Sequence, residues 1–140
     1  MTGAAAEPGA VWEIAEQFFA ACDRFDPDSI AELVTEDVTY RMPPGQRADP
    51  VVGRAQVARA LGGAGAGQVF DVTTIEHTLI KIVADETTAI GLTIVRCATL
   101  NGTACCNECA WQLEFAGAKV KSVTEFTSSF RFAQAAGSVP

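Results

Sequence analysis

Residues 105–127 constrain this chain more than any other stretch, because they alternate with a period of two and then turn back on themselves. One set is Cys105, Asn107, Cys109, Trp111, Leu113 and Phe115; the other is Cys106, Glu108, Ala110, Gln112 and Glu114. Side chains alternate across a strand, so the first set faces an apolar interior and the second faces mostly water. Ala116-Gly117-Ala118 reads as the turn, with Gly117 free to adopt positive φ. Asn107 is then one polar residue on a buried face, and Glu125 lies on the return strand between Thr124 and Phe126. A buried amide and a nearby carboxylate in an apolar strand pair point to a site. Val120 and Glu125 have opposite parity, so both face inward only across a β-bulge.

The same period covers the whole second half. Strands are predicted over 69–83, 87–99, 103–115 and 120–132, with turns at Ala84-Asp85-Glu86 and Leu100-Asn101-Gly102. The first half has the helical period instead. Apolar residues at 11, 14, 15, 18, 19 and 22 make one face of an amphipathic helix over 11–24. Asp26 is an N-cap with Pro27 at the first helical position, opening a short helix over 27–34. A short strand is predicted over 38–42 and a third helix over 53–61. The glycine/alanine stretch 62–67 is a link; no Gly-Lys-Ser/Thr closes it into a phosphate loop. Helices followed by a meander mean α+β, with three N-terminal helices against one face of a curved antiparallel sheet. The first long strand has apolar residues of both parities, Val72, Ile80 and Ile82 against Ile75, Leu79 and Val83. Two apolar faces imply a covered outer face, hence a homodimer through it.

A chain of 140 residues suggests one domain, expected over 11–132 with a disordered lead at 1–10 and a frayed tail at 133–140. The net charge of −7 and the absence of a lysine/arginine cluster exclude nucleic acid as a partner. The apolar runs fall short of a membrane span, and no positive segment precedes an apolar one at the N-terminus. Five cysteines, an odd number, then argue for reduced thiols in a cytoplasm. Cys106 and Cys109 point to opposite strand faces, so the pair is no metal or redox motif. His77 is the only histidine, a poor metal site by itself, read as an exposed or interface residue. No metal and no cofactor are expected.

Three stretches carry a family resemblance: residues 25–38; Tyr40-Arg41-Met42-Pro43-Pro44-Gly45 with Val52-Gly53-Arg54-Ala55-Gln56-Val57; and residues 107–126. Together they resemble the nuclear transport factor 2-like superfamily, with its SnoaL-like polyketide cyclases, ketosteroid isomerases and limonene-epoxide hydrolases. The resemblance implies a cone-shaped sheet enclosing an apolar cavity. It also implies cofactor-free acid–base chemistry on an apolar carbonyl- or epoxide-bearing molecule of secondary metabolism, or a non-catalytic binding dimer of the same fold. Glu125 is the candidate acid or base, its pKa raised by desolvation. Tyr40 is a candidate oxyanion donor and Asn107 a candidate orienting group. Met42, Val95, Arg96, Cys109, Trp111 and Phe126 are the expected ligand contacts. Arg96 has a second reading, a salt bridge to Glu108. The resemblance stops short of two active sites. Thr93 and Val95 stand where the epoxide hydrolases have an Arg-x-Asp pair. Met42 or Pro43 stands at the isomerases' aspartate base, and Cys109 or Ala110 at their protonated aspartate.

Overall fold

A computed structural model describes residues 8–42 and 49–127. Helix α1 (Pro8–Asp23) buries Val11, Ala15, Phe18 and Phe19 on the face that its helical period marks, and Ala21 besides. Asp26 caps α2 (Pro27–Glu32) by accepting a hydrogen bond from the Ser29 amide at 3.2 Å, with Pro27 at the first turn. Helix α2 is shorter than expected, because Val34 already belongs to β1 (Val34–Arg41). The amide of Val120 bonds to the carbonyl of Leu33 at 2.9 Å and pulls that segment onto the sheet. Strand β2 (Val51–Val52) leads into α3 (Arg54–Arg59), a wide turn over Ala60–Ala64 and a short 3₁₀ turn over Ala66–Gln68. The remaining strands are β3 (Phe70–Ala84), β4 (Thr88–Thr99), β5 (Ala104–Ala116) and β6 (Lys119–Thr127). Helix α1 starts inside the expected lead. The tail at 133–140 and the end of the fourth predicted strand lie outside the described residues.

The fold is α+β; the described residues form three helices and one curved six-stranded sheet in the order β2-β1-β6-β5-β4-β3. The expected all-antiparallel sheet needs one correction: β1 runs parallel to β6. The intervening helix and meander carry the chain far enough to return in the same direction, which a tight hairpin cannot do.

Two of the sheet's register shifts decide which side chains of β6 and of the middle of β3 face inward. Between β5 and β6, Phe115 pairs with Val120 but Glu114 pairs with Ser122, so Lys121 is an extra residue. Val120, Val123 and Glu125 are all buried as a result. This is the bulge that an inward Glu125 requires. Between β3 and β4, Lys81 pairs with Leu92 but Leu79 pairs with Thr93, leaving Ile80 as the extra residue. Beyond it, His77 rather than Thr78 stands opposite the buried Val95.

The outer face is apolar where the sheet is widest. Leu92 pairs with Ala110, which pairs with Phe126; Ile90 pairs with Val83 in the next row. Val83, Ile90, Leu92 and Phe126 are all exposed. No helix among the described residues is long and apolar enough to cross a membrane.

Candidate functional site

A cavity of about 1090 Å³ lies between the concave face of the sheet, the end of α1 and the α3 segment. Its walls include Tyr40, Met42, Val95, Cys109, Trp111 and Glu125, which gathers six of the nine residues expected at the site. A second, more open hollow of about 650 Å³, between α2 and α3, holds none of the nine.

Glu125 is the deep polar feature, only 8% exposed. The Tyr40 hydroxyl donates to its Oε1 at 2.7 Å. Burial pushes the Glu125 carboxyl above its ordinary range, and the Tyr40 hydrogen bond pulls against that shift. Burial also raises the Tyr40 hydroxyl well above its usual value, and the neighbouring Glu125 adds to this. The Trp111 ring stacks on Tyr40, with centroids 6.2 Å apart and planes 18° apart. Trp111 is fixed in turn by its indole N–H, which donates to Thr93 Oγ1 at 3.3 Å. One Glu125 oxygen is therefore held, and the Trp111 ring backs the Tyr40 side of the pair. The Tyr40 proton is already committed to Glu125, so Tyr40 serves first to position the acid. Two cavity thiols, Cys97 and Cys109, are each pushed up to about 11 by burial. They are neutral at physiological pH, and so poor nucleophiles.

Three expected residues lie elsewhere. Arg96 is exposed on the outer face, because β4 turns Ala89, Gly91, Thr93 and Val95 inward and Ile90, Leu92, Ile94 and Arg96 outward. Neither does it pair with Glu108 among the ion pairs of the described residues. Phe126 follows an inward residue in a strand and is 54% exposed on the outer face. Asn107 is buried on the inner face as expected, and its Oδ1 accepts from the Glu108 amide at 3.0 Å. It stands four residues along β5 from Trp111, the partner of Glu125, roughly 13 Å away at strand rise, and does not line the cavity.

The cavity also takes residues that the sequence did not single out: Cys22, Phe25, Arg59 and Cys97. His77 lines it as well, which corrects its reading as an exposed or interface residue. Its Nδ1 lies 3.2 Å from Asp23 Oδ1. The β3 bulge that turns it inward has no turn residue to mark it.

Tyr40→Phe tests the pairing. Removing the hydroxyl deletes the interaction that holds the Glu125 carboxyl down and leaves the desolvation. The Glu125 titration is expected to move up, as read from carboxyl ¹³C chemical shifts against pH. An unchanged midpoint would contradict the hydrogen bond.

The SnoaL-like domain family matches residues 15–136. An NTF2-like protein from Burkholderia thailandensis E264 superposes with a TM-score of 0.80 at 19% identity, covering 93% of this chain and 98% of that one. A protein of ketosteroid isomerase-like fold from Catenulispora acidiphila DSM 44928, solved in complex with trimethylamine, superposes with a TM-score of 0.75 at 18% identity, covering 91% and 94%. TerC, co-crystallised with polyporic acid, superposes with a TM-score of 0.78 at 14% identity, covering 91% and 98%. A search of curated proteins finds no significant match.

Proposed function

The chain belongs to the SnoaL-like domain family, and from that premise we propose that its cavity takes an apolar carbonyl compound on which Glu125 moves a proton without a cofactor. The observation that carries this reading is the buried Glu125 carboxyl, raised by desolvation and held by one oxygen in an apolar-walled cavity. A carboxylate tuned upward is a stronger base and matches proton transfer near neutral pH. In the proposed step its unheld oxygen takes a proton from a carbon next to the carbonyl. The C–H electron pair forms the enolate. Once protonated, Glu125 is a weaker acceptor, and the Tyr40 hydroxyl turns toward the enolate oxygen. Return of the proton to a different carbon is an isomerisation; attack of the enolate carbon on a second carbonyl, whose π electrons move to its oxygen and take the proton back from Glu125, is a cyclisation. Epoxide hydrolysis is the weaker alternative, because Thr93 is bonded to Trp111 and Val95 is an apolar wall residue.

A binding protein without turnover is the second reading. The Tyr40–Glu125 hydrogen bond favours it, since it already satisfies part of the acid. Thermal unfolding with steroid ketones, polycyclic aromatic ketones and polyporic acid tests the cavity itself. A ligand at a hundredfold over its dissociation constant stabilises by about 2.7 kcal/mol. A raised midpoint with at least one ketone is the expected result; no shift across the panel would contradict both readings.

The exposed row through Leu92, Ala110 and Phe126 supports a second proposal, that this face pairs with a second copy of the chain. Leu92→Glu is expected to leave a monomer in sedimentation velocity where the parent sediments as a dimer. A monomeric parent would contradict the pairing.

A further inference from the structure

We infer that His77, held by Asp23, is a second ligand-recognition point in the cavity, and that it selects a ligand carrying a phenolic or enolic hydroxyl at the end remote from Glu125. The inference rests on the cavity being a small-molecule site and narrows the ligand class.

The geometry starts from the last turn of α1. Asp23 ends the helix, and two residues later Phe25 has φ of 52°, the only non-glycine with positive φ among the described residues. Such a conformation is costly for a residue with a side chain and persists where the surroundings impose it. Here it places the Phe25 ring edge-on to the His77 imidazole, with centroids 6.4 Å apart and planes 62° apart. The Phe25 ring also meets Gly63, where an added Cβ would lie 3.2 Å from it. The imidazole is thus fixed from two sides, by an aromatic edge and by a carboxylate.

Asp23 sets which ring nitrogen is available. An ionised carboxylate only accepts hydrogen bonds, so Nδ1 carries the hydrogen that points to Asp23. In the neutral ring Nε2 is then a bare acceptor. It has no hydrogen-bond partner among the described residues, and His77 lines the cavity. Three other polar groups on the wall are already engaged, Tyr40 with Glu125, Trp111 with Thr93, and Arg59 with Gln56 at 2.6 Å.

Position separates the two recognition points. Glu125 stands in the inner row Ile82–Gly91–Trp111–Glu125, on a strand flanked by neighbours on both sides. His77 stands on the edge strand β3, opposite Val95 and four residues along β4 from Gly91. A ligand that meets both groups is extended and apolar in the middle. Its carbonyl end lies at Glu125, and its hydroxyl donates to Nε2.

Two isosteric probes test this, 2-naphthol and 2-methylnaphthalene. Calorimetric titration on the parent protein is expected to show about tenfold tighter binding of 2-naphthol, the value of one added hydrogen bond. His77 is the only histidine, so a long-range ¹H–¹⁵N spectrum reports its two ring nitrogens without ambiguity. The Nε2 resonance is expected to move when 2-naphthol binds. His77→Phe should bind both probes alike, Asp23→Leu, which removes the acceptor for Nδ1–H, should lose most of the preference, and Glu125→Gln should keep it. A preference that survives His77→Phe, or an Nε2 resonance unmoved with 2-naphthol bound, would overturn the inference. Equal binding of both probes by the parent overturns it while leaving the cavity reading intact. Binding of neither overturns both.

Discussion

Glu125→Gln is expected to lower turnover of an apolar ketone by about 10²- to 10⁴-fold, the usual contribution of one general acid–base group, while the fold remains. Glutamine keeps the shape and the carbonyl oxygen that accepts from Tyr40, but it cannot hold the transferred proton. The same substitution is expected to stabilise the protein at neutral pH, and the sign follows from linkage. The folded-state pKa of Glu125 is raised above its ordinary value of 4.5. Between those two values the folded state binds the proton more tightly than the unfolded chain does. Stability from this group is fully present below the unfolded value and is lost as pH rises through the folded one. Each pKa unit of separation costs about 1.4 kcal/mol above that window. Glutamine has no such slope, so the variant's advantage should grow with pH and then level off. Denaturant unfolding from pH 4 to pH 8 on both proteins reads the difference. A variant that is inactive and less stable at every pH would mark Glu125 as a structural residue instead.

Gly91→Val is expected to destabilise the fold by about 1–3 kcal/mol, the range for overpacking a filled core, and to impair the site with it. Gly91 shares the inner row with Trp111 and Glu125. A Cβ built there would lie 2.5 Å from the Phe19 ring, closer than side-chain carbons pack. The missing side chain is what lets Phe19 of α1 lie against the sheet beside the Trp111–Tyr40 stack. Phe19 is buried, so the ring has little room to yield. The midpoint of chemical unfolding measures the cost. Ligand affinity in the folded variant measures whether the displaced helix reaches the site. An unchanged midpoint would mean that the helix can slide without loss.

Glu125 and His77 show how far the sequence reaches. The α+β order is legible because the hydrophobic period changes from 3.6 to 2 at residue 69 and turn residues punctuate the second half. Tyr40, Met42, Val95, Cys109, Trp111 and Glu125 meet in one cavity, as their pattern and the family likeness imply. Arg96 was misplaced because β4 is apolar on both faces, Ile90, Leu92 and Ile94 as much as Ala89 and Val95. Alternation cannot choose between two apolar faces. Glu125 could be placed only conditionally, since a bulge was needed, and Lys121 carries no mark of being the extra residue. His77 was missed for the same reason, since the slip at Ile80 reverses the parity of the stretch from Leu79 back to Glu76. Parallel pairing of β1 with β6 joins segments distant in the chain, which local periodicity does not encode.

The most direct test of the account is the titration of the Glu125 carboxyl itself, by ¹³C NMR on glutamate-labelled protein, with the resonance assigned by its loss in Glu125→Gln. A midpoint clearly above that of an exposed glutamate is expected, with a further rise when an apolar ketone fills the cavity and excludes water. A midpoint in the ordinary glutamate range, unmoved by a bound ketone, would contradict the claim that Glu125 is a desolvated acid placed to exchange a proton with a ligand.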